Sequence, residues 1–494
     1  MTTRELKRRE FLTTSLSGLG GAALTTMLSQ DVAFAKTQRA GGAVVSPLAE
    51  KPTHYPAKAK SCIFIFNAGA PSQLDLFNYR PLLTKLDGKP MPESMTKGVR
   101  FAFIQKDSAT LMAPRRKFKQ HGESGMWFSE LLPNLATCAD DICMINTVQS
   151  DQFNHHPGQL LVQTGRPVFG RPAMGAWLSY GLGTVNQNLP GYVVLTSGRG
   201  SSGGATLWSS GFLPSVNAGV LLRNQGPPIL NLENPAGLPT SLQRQALDAV
   251  RELNQRQYDK IHDPEIASRI ANYELAFRMQ SAAPELTDLS DESEATLNAY
   301  GVNRPEPKQR ADNVGSDPVH RSFATNCLLA RRMVERGVRF INIIFASWDH
   351  HSKLERNLTY NATAVDQPIA ALIKDLKNRG LLDETLVVWG GEFGRTPLGE
   401  NRPGYKTVTG RDHHPYAFSM FTAGGGTKGG HNYGETDELG WSPAIDPVHI
   451  NDFQATLLHL FGINHRKLTH RFMGLDIRLT NVTHDSQVIK GLLA

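Results

Sequence analysis

Five short stretches of this chain carry the residue types that bind metal ions: Asn67 to Asp75, Asn154-His155-His156, Asp349-His350-His351, Glu392, and Asp412-His413-His414. Imidazole nitrogen and carboxylate oxygen are the donors preferred by zinc, manganese or iron, whereas calcium prefers an all-oxygen shell. An isolated histidine such as His54 reads as an ordinary hydrogen bonder. Three His doublets at the ends of expected strands instead point to one shared divalent-metal centre. Neighbouring side chains diverge, so one imidazole of each pair can bind metal while the other meets substrate or a carboxylate. Arg395, three residues after Glu392, is placed to grip a planar anion by a two-pronged hydrogen bond, with Arg166 and Arg411 as further candidates.

These stretches need elements to hold them on one edge. Cys62 to Phe66 reads as a buried strand entering the turn Asn67-Ala68-Gly69-Ala70-Pro71-Ser72, and Ile142 to Val148 as a second strand. Val338 to Phe345 delivers Trp348-Asp349-His350-His351, and Thr385 to Trp389 delivers Gly390 to Arg395. Ala417 to Thr422 is another strand. Helices are expected from His320 to Arg336, through Ile369, Leu372, Ile373 and Leu376 to Gly380, and from Val448 to Phe461. This alternation predicts an α/β fold, a central mostly parallel sheet flanked by helices on both faces, with functional groups beyond the strand ends.

Other segments carry weaker patterns. Residues 165–235 are rich in Gly, Pro and Asn and predict long loops and a cap at the site rim. Two helices follow, with apolar faces Leu242, Ala246, Ala249, Leu253 and Ile266, Ile270, Tyr273, Phe277, the second opened by Asp263 and Pro264. Residues 281–318 read as a polar surface excursion, and Trp127 to Leu135 as a helix. The run Gly424-Gly425-Gly426-Thr427-Lys428-Gly429-Gly430 lacks the order of a phosphate-binding loop and is expected as a mobile loop at the site rim. Trp348 and Trp389 read as core or rim packing.

Composition bounds the class. With 40% apolar and 20% charged residues, the 494-residue chain is neither disordered nor fibrous. Its net charge of +7 suits anionic substrates or surfaces, but Arg115, Arg116, Lys117 and Lys119 read as a solvated face, and no nucleic-acid partner is expected. Cys62, Cys138, Cys143 and Cys327 are too scattered for a zinc site, while Cys138 and Cys143 are spaced so that a disulfide is conceivable. Arg8-Arg9, the mildly apolar run Leu16 to Leu28 and Ala33-Phe34-Ala35 have the parts of a twin-arginine (Tat) signal peptide over residues 1–35. The expectation is Tat export to a periplasmic or secreted location, with residues 36–494 forming one domain that carries cap insertions around 165–318. No later apolar run is long enough for an integral membrane segment.

Longer motifs add a resemblance. FNAGAPSQLDLF, HGESGMWFSELLP, DQFNHHPGQLLVQTGRP, GLLDETLVVWGGEFGRTP, GRDHHP and GGHNYGETDELG closely resemble the DUF1501 family over almost the whole mature chain. That family is similar to a divergent branch of the alkaline phosphatase and sulfatase superfamily. The resemblance implies an alkaline phosphatase-like fold and metal-dependent hydrolysis of phosphate or sulfate esters, on small molecules or glycans. It places Glu392 at a metal-binding aspartate, Phe393 where a second ligand stands, and Asn67, or Asp75 nearby, at the first metal aspartate. Asp349 with His350 or His351, and His413 or His414, fall at the remaining metal positions. His155 falls where sulfatases carry a modified Cys or Ser, which disfavours a formylglycine mechanism. Metal-activated water or a histidine is expected instead, with His155 or His156 as ligand or general acid and Arg395 holding the anion. The competing expectation is a non-catalytic extracytoplasmic binding or assembly protein on the same fold.

Overall fold

The computed structural model describes residues 46–494 apart from Arg100, 224–227, 230–231, Asn313, 316–317, 405–406 and 481–482. The twin-arginine leader lies outside the described residues.

The first strand, β1 (Ser61–Ala68), is buried along its whole length. Side chains alternate across a strand, so Ile63 and Ile65 enter one apolar cluster and Cys62, Phe64 and Phe66 the other. A strand covered on both faces must be apolar throughout, and each fully buried Ile or Phe contributes about 2 kcal/mol. Next in chain order come β2 (Ile142–Gln149), α1 (His155–Thr164), α2 (Met174–Leu182), β3 (Tyr192–Ser197) and β4 (Val220–Leu222). The helical pair α3 (Thr240–Ile261) and α4 (Pro264–Thr287) leads to α5 (Val319–Glu335), β5 (Phe340–Ala346), α6 (Leu354–Asn378) and β6 (Thr385–Gly390). The chain then forms a hairpin of β7 (Gly394–Gly399) with β8 (Arg411–His414), followed by β9 (Phe418–Ala423), β10 (His431–Tyr433), β11 (Val448–His449) and α7 (Ile450–Leu460).

The main sheet runs β10-β2-β9-β6-β1-β5-β3-β4, with β11 also pairing β2. Phe64 is in register with Asn342 of β5 and Val388 of β6, both parallel. Only β9 is reversed, antiparallel to β2 and β6. Helices α5 and α6 cover the Ile63 face through Phe323, Leu328, Leu358 and Ile369. The Phe64 face is covered by α1, α2 and α7 through Leu161, Trp177 and Phe453. The chain is therefore an α/β protein with a mostly parallel sheet between helical layers.

Several expectations are corrected. Met126–Ser129 is a strand paired with Phe118–His121, because the chain reverses at Gly122 and Gly125, both at positive φ, so no helix starts at Trp127. Within 281–318, Leu286, Tyr300, Val302, Ala311 and Val314 belong to the core. The polarity there reflects ion pairing, with Glu292 meeting Arg331 at 2.6 Å and Arg332 at 2.8 Å. The apolar residues Leu242 and Leu253 of α3 are 51% and 65% exposed, and α3 is held to α4 by Arg244 gripping Glu274. Asp263 does cap α4, accepting from the Glu265 N–H. Cys138 and Cys143 are free, buried thiols. Arg115 and Arg116 pair with Asp87 and Glu355. No described helix is long and apolar enough to cross a membrane.

The glycine run after β9 lies away from the site. Because β9 is reversed, it ends at the edge where the parallel strands begin. Gly425 N–H bonds the Leu382 carbonyl just before β6, and Gly424 crowds Leu382 and Thr385.

Candidate metal centre

The carboxyl ends of β1, β5 and β6 meet at one point. Gly69, just after β1, has φ +110°, and a Cβ there would lie 2.6 Å from the Asp349 backbone nitrogen, so only glycine permits this approach. The contact brings the segment after β5 against the turn after β1. Helix α1 starts at His155, and Gly158 one turn on lets Glu392 and Phe393 pack against it. The β7–β8 hairpin sets His413 opposite Arg395.

Three imidazoles converge on one carboxylate oxygen. Nε2 of His351, His155 and His413 lies 2.8, 3.2 and 3.5 Å from Asp349 Oδ1. Each ring is turned by an acceptor on its other nitrogen. His155 Nδ1 meets Glu392 at 2.7 Å, His413 Nδ1 the Phe153 carbonyl at 2.6 Å, and His351 Nδ1 the buried Glu400 carboxylate. Those acceptors place the protons on Nδ1, and the Nε2 lone pairs face inward. Nε2 of His155 and of His413 is buried without a hydrogen-bond partner. Orphaned inward lone pairs beside a carboxylate fit a first-row divalent cation, and His155, Asp349, His351 and His413 are the residues that can hold it.

The electrostatics differ between the rings. Burial opposes charging His155, but Asp349 and Glu392 on either side outweigh it and push its pKa up to about 9, so without a cation this ring holds a second proton, which a bound metal would displace from Nε2. Burial raises the cost of the Asp349 carboxylate, yet Arg395 and the surrounding imidazoles drive its pKa far below the usual carboxylate range. Burial pushes His413 down to about 3, keeping it neutral and able to donate a lone pair. Asp349, Glu392, Glu400 and Asp412 outnumber Arg395 and Arg402 around the cluster, so the centre attracts cations.

The remaining candidates sit nearby in other roles. Arg395 is buried, donating Nε–H to the Ala70 carbonyl at 3.0 Å, one N–H to the Arg411 carbonyl at 3.1 Å and another to Asp349 at 2.7 Å. That guanidinium braces the two loops and Asp349 instead of facing solvent as an anion clamp. Asp75 pairs with the buried Arg411 at 2.7 Å, so neither is turned to the cluster. Glu392 Oε1 accepts from the Gly69 N–H at 2.9 Å and Gln159 at 3.2 Å and orients His155; its Oε2 is buried without a partner. Asn67 is buried in β1, its amide near the Ile65 and Gly390 carbonyls at 3.4 Å. His350 Nε2 meets the Ser347 carbonyl and His414 Nε2 the Trp441 carbonyl, which takes both out of the cluster. Burial lowers their pKa values to about 3 and about 4. His156 points elsewhere, its ring against Phe169 at 5.1 Å. Trp348 and Trp389 are both core residues.

Sequence spacing missed Glu400, Gln159 and Phe103. Phe103 packs edge-on to His351 at 5.1 Å and to His413 at 5.9 Å. Its loop is tied down by Asp412, which accepts the Phe103 and Ile104 N–H groups at 2.7 and 3.0 Å. Glu400 follows the conspicuous Glu392 by eight residues and could have been found as one more carboxylate on the same loop system.

Fold and site together define an α/β protein with a His/Asp cluster at the carboxyl edge of its parallel strands. The chain belongs to the DUF1501 family, described as proteins of unknown function, whose model matches residues 59–493. No curated protein matches. Among solved structures, a lipoteichoic acid synthase from Listeria monocytogenes shares 10% identity, covering 88% of this chain and 78% of its own, with a TM-score of 0.36. A sulfatase from Pseudoalteromonas sp. shares 12% identity over 83% of this chain and 68% of its own, with a TM-score of 0.32. An alkaline phosphatase from the Antarctic bacterium TAB5 shares 13% identity over 82% and 98%, with a TM-score of 0.30.

Proposed function

We propose that this protein is a metal-dependent hydrolase of phosphate or sulfate esters, carried by small molecules or glycans. The observation that supports this reading is the convergence of three Nε2 atoms on Asp349 Oδ1, each ring fixed through Nδ1. A divalent cation there, zinc or manganese by donor set and iron or calcium less well matched, would polarise an ester oxygen and acidify a water. The chain's own residues supply the setting. Glu392, Glu400 and the Phe153 carbonyl hold the rings, Arg395 holds Asp349, and Phe103 limits water at His351 and His413. The Arg8-Arg9 leader supports a periplasmic or secreted location after Tat export, with residues 36–494 as one domain.

One observation favours a second reading, a non-catalytic binding protein: the Arg395 guanidinium is spent inside the protein. Metal analysis of protein purified without chelator, paired with hydrolysis of p-nitrophenyl phosphate and p-nitrophenyl sulfate, separates the two. Stoichiometric metal that is lost in a folded Asp349→Ala variant, with turnover that tracks metal content, is the expected result. Metal without turnover on an ester panel, or no metal even after zinc and manganese are supplied, would overturn the hydrolase reading and leave the binding reading ahead.

A further inference from the structure

Away from the metal centre, an antiparallel hairpin of His470–Phe472 and Leu475–Ile477 projects an apolar tip. Met473 is 87% exposed and Leu475 67%, with Phe472 beside them at 39%. The two residues joining the strands, Met473 and Gly474, both have positive φ, at +50° and +83°. Such a turn favours Asn or Asp followed by Gly, and a methionine in its first position is a poor choice for folding. A large, flexible apolar side chain therefore stands at the most exposed point of the turn, where folding alone would select a small polar one.

The tip continues into a second exposed apolar segment. Phe472 stacks on Phe212 at 4.9 Å, and Arg171 lies over the same Phe212 ring, 5.7 Å from its centre. Two residues before Arg171, Phe169 is 61% exposed and Val168 48%. Arg166 and Arg171 flank that segment, and Lys467, Arg471 and Arg478 lie in or beside the hairpin, where Asp476 stands opposite Arg471; Arg466 is already paired with Asp485 at 2.7 Å. Exposed apolar side chains ringed by cations match an interface that is apolar below and anionic at its surface.

We infer that the 470–477 hairpin and the 166–171 loop form a docking surface for an anionic phospholipid bilayer. Met473, Leu475 and Phe169 enter the headgroup and upper acyl region, while the flanking arginines and Lys467 meet lipid phosphates. The protein remains peripheral, since this surface is two loop tips and not a spanning element. Phe169 also touches His156, so docking brings the start of α1 close to the bilayer.

The test is co-sedimentation of the full chain with vesicles of phosphatidylcholine alone and of phosphatidylcholine containing about one third phosphatidylglycerol. The key variant is Met473→Asn with Leu475→Thr, which improves the turn and keeps a strand former, so it remains folded; a thermal unfolding midpoint at or above that of the unsubstituted chain verifies this. Binding to the anionic vesicles is expected, weakened at least about 10-fold in the variant by loss of two apolar contacts. It should also weaken in Arg171→Gln/Arg471→Gln and at about 0.5 M salt, which screens surface charge. Equal binding by the Met473→Asn/Leu475→Thr variant would assign membrane affinity to another part of the chain, such as the leader, and overturn the inference. Failure to bind either vesicle, including the case where a soluble protein partner is captured through the hairpin, would overturn it as well.

Discussion

Two glycine-bearing loops of similar texture have opposite fates in this fold. Gly390-Gly391-Glu392-Phe393-Gly394-Arg395 follows β6 and lies in the metal centre, where Glu392 orients His155 and Arg395 holds Asp349. Gly424 to Gly430 follows β9 and lies at the other end of the sheet, against Leu382 and Asp140. Both loops are close-packed: a Cβ at Gly391 would sit 2.9 Å from Pro71 Cδ, and one at Gly425 2.6 Å from Leu386 Cβ. The difference is strand direction. The carboxyl end of a parallel strand faces the site, whereas the carboxyl end of the one reversed strand faces away from it. Glycine content therefore reports close backbone approach, and function depends on which edge the loop reaches.

The sharpest way to break this comparison is to substitute on both sides and read metal affinity. Asp349→Ala should weaken binding of zinc or manganese by more than about 100-fold, since it removes a direct ligand, while Lys428→Ala in the other loop should leave titration calorimetry unchanged. Glu400→Ala should cost about 10- to 100-fold in metal affinity by releasing His351, and Glu400→Gln should recover part of it because its carbonyl can still accept from Nδ1. Equal metal affinity in Glu400→Ala and the unsubstituted protein would show that the ring is held without it.

Gly391→Ala and Gly425→Ala then separate packing from function. Each should lose about 2 kcal/mol in denaturant unfolding, because the added Cβ meets fixed atoms, yet only Gly391→Ala should also disturb metal binding. The smallest expected effect is a pH dependence remote from both loops. Burial first, and then the nearby Arg304, push His320 down to about 4. Arg304 donates to its Nδ1 at 3.0 Å, and Nε2 meets the Tyr360 carbonyl at 3.2 Å; Glu306 and Arg310 are also near. The unfolded chain takes up that proton near pH 6.5 and the native state only near 4, so stability is full above 6.5 and declines as pH falls through this window. His320→Gln should flatten that part of a chemical-denaturation series, and an unchanged slope would remove His320 as its source.

Much of the scaffold was legible because doubly covered strands are apolar throughout and short enough to be bounded by turns. β1, β5 and β6 were read within two residues at each end, and α5 within one. The hairpin β7–β8 was not, since Gly-Arg-Thr-Pro-Leu-Gly and Arg-Asp-His-His have no alternation of apolar and polar residues; they are strands because Arg395 and Arg411 bury their charge among carbonyls and Asp75. The helix expected at Trp127 failed for a related reason, because its apolar spacing suits either period and only pairing with Phe118–His121 decides.

The residue types of the candidate centre were a property of the sequence alone: imidazoles and carboxylates after apolar strands. Which of them converge was decided by tertiary structure. His350 and His351 are adjacent, but one is turned to the Ser347 carbonyl and the other to Asp349 by Glu400, a residue 49 positions away. His413 and His414 part in the same way, toward Phe153 and Trp441. Sequence fixes the donors that a chain offers to a metal, but a lone pair acquires direction only when a distant acceptor holds the other side of the ring.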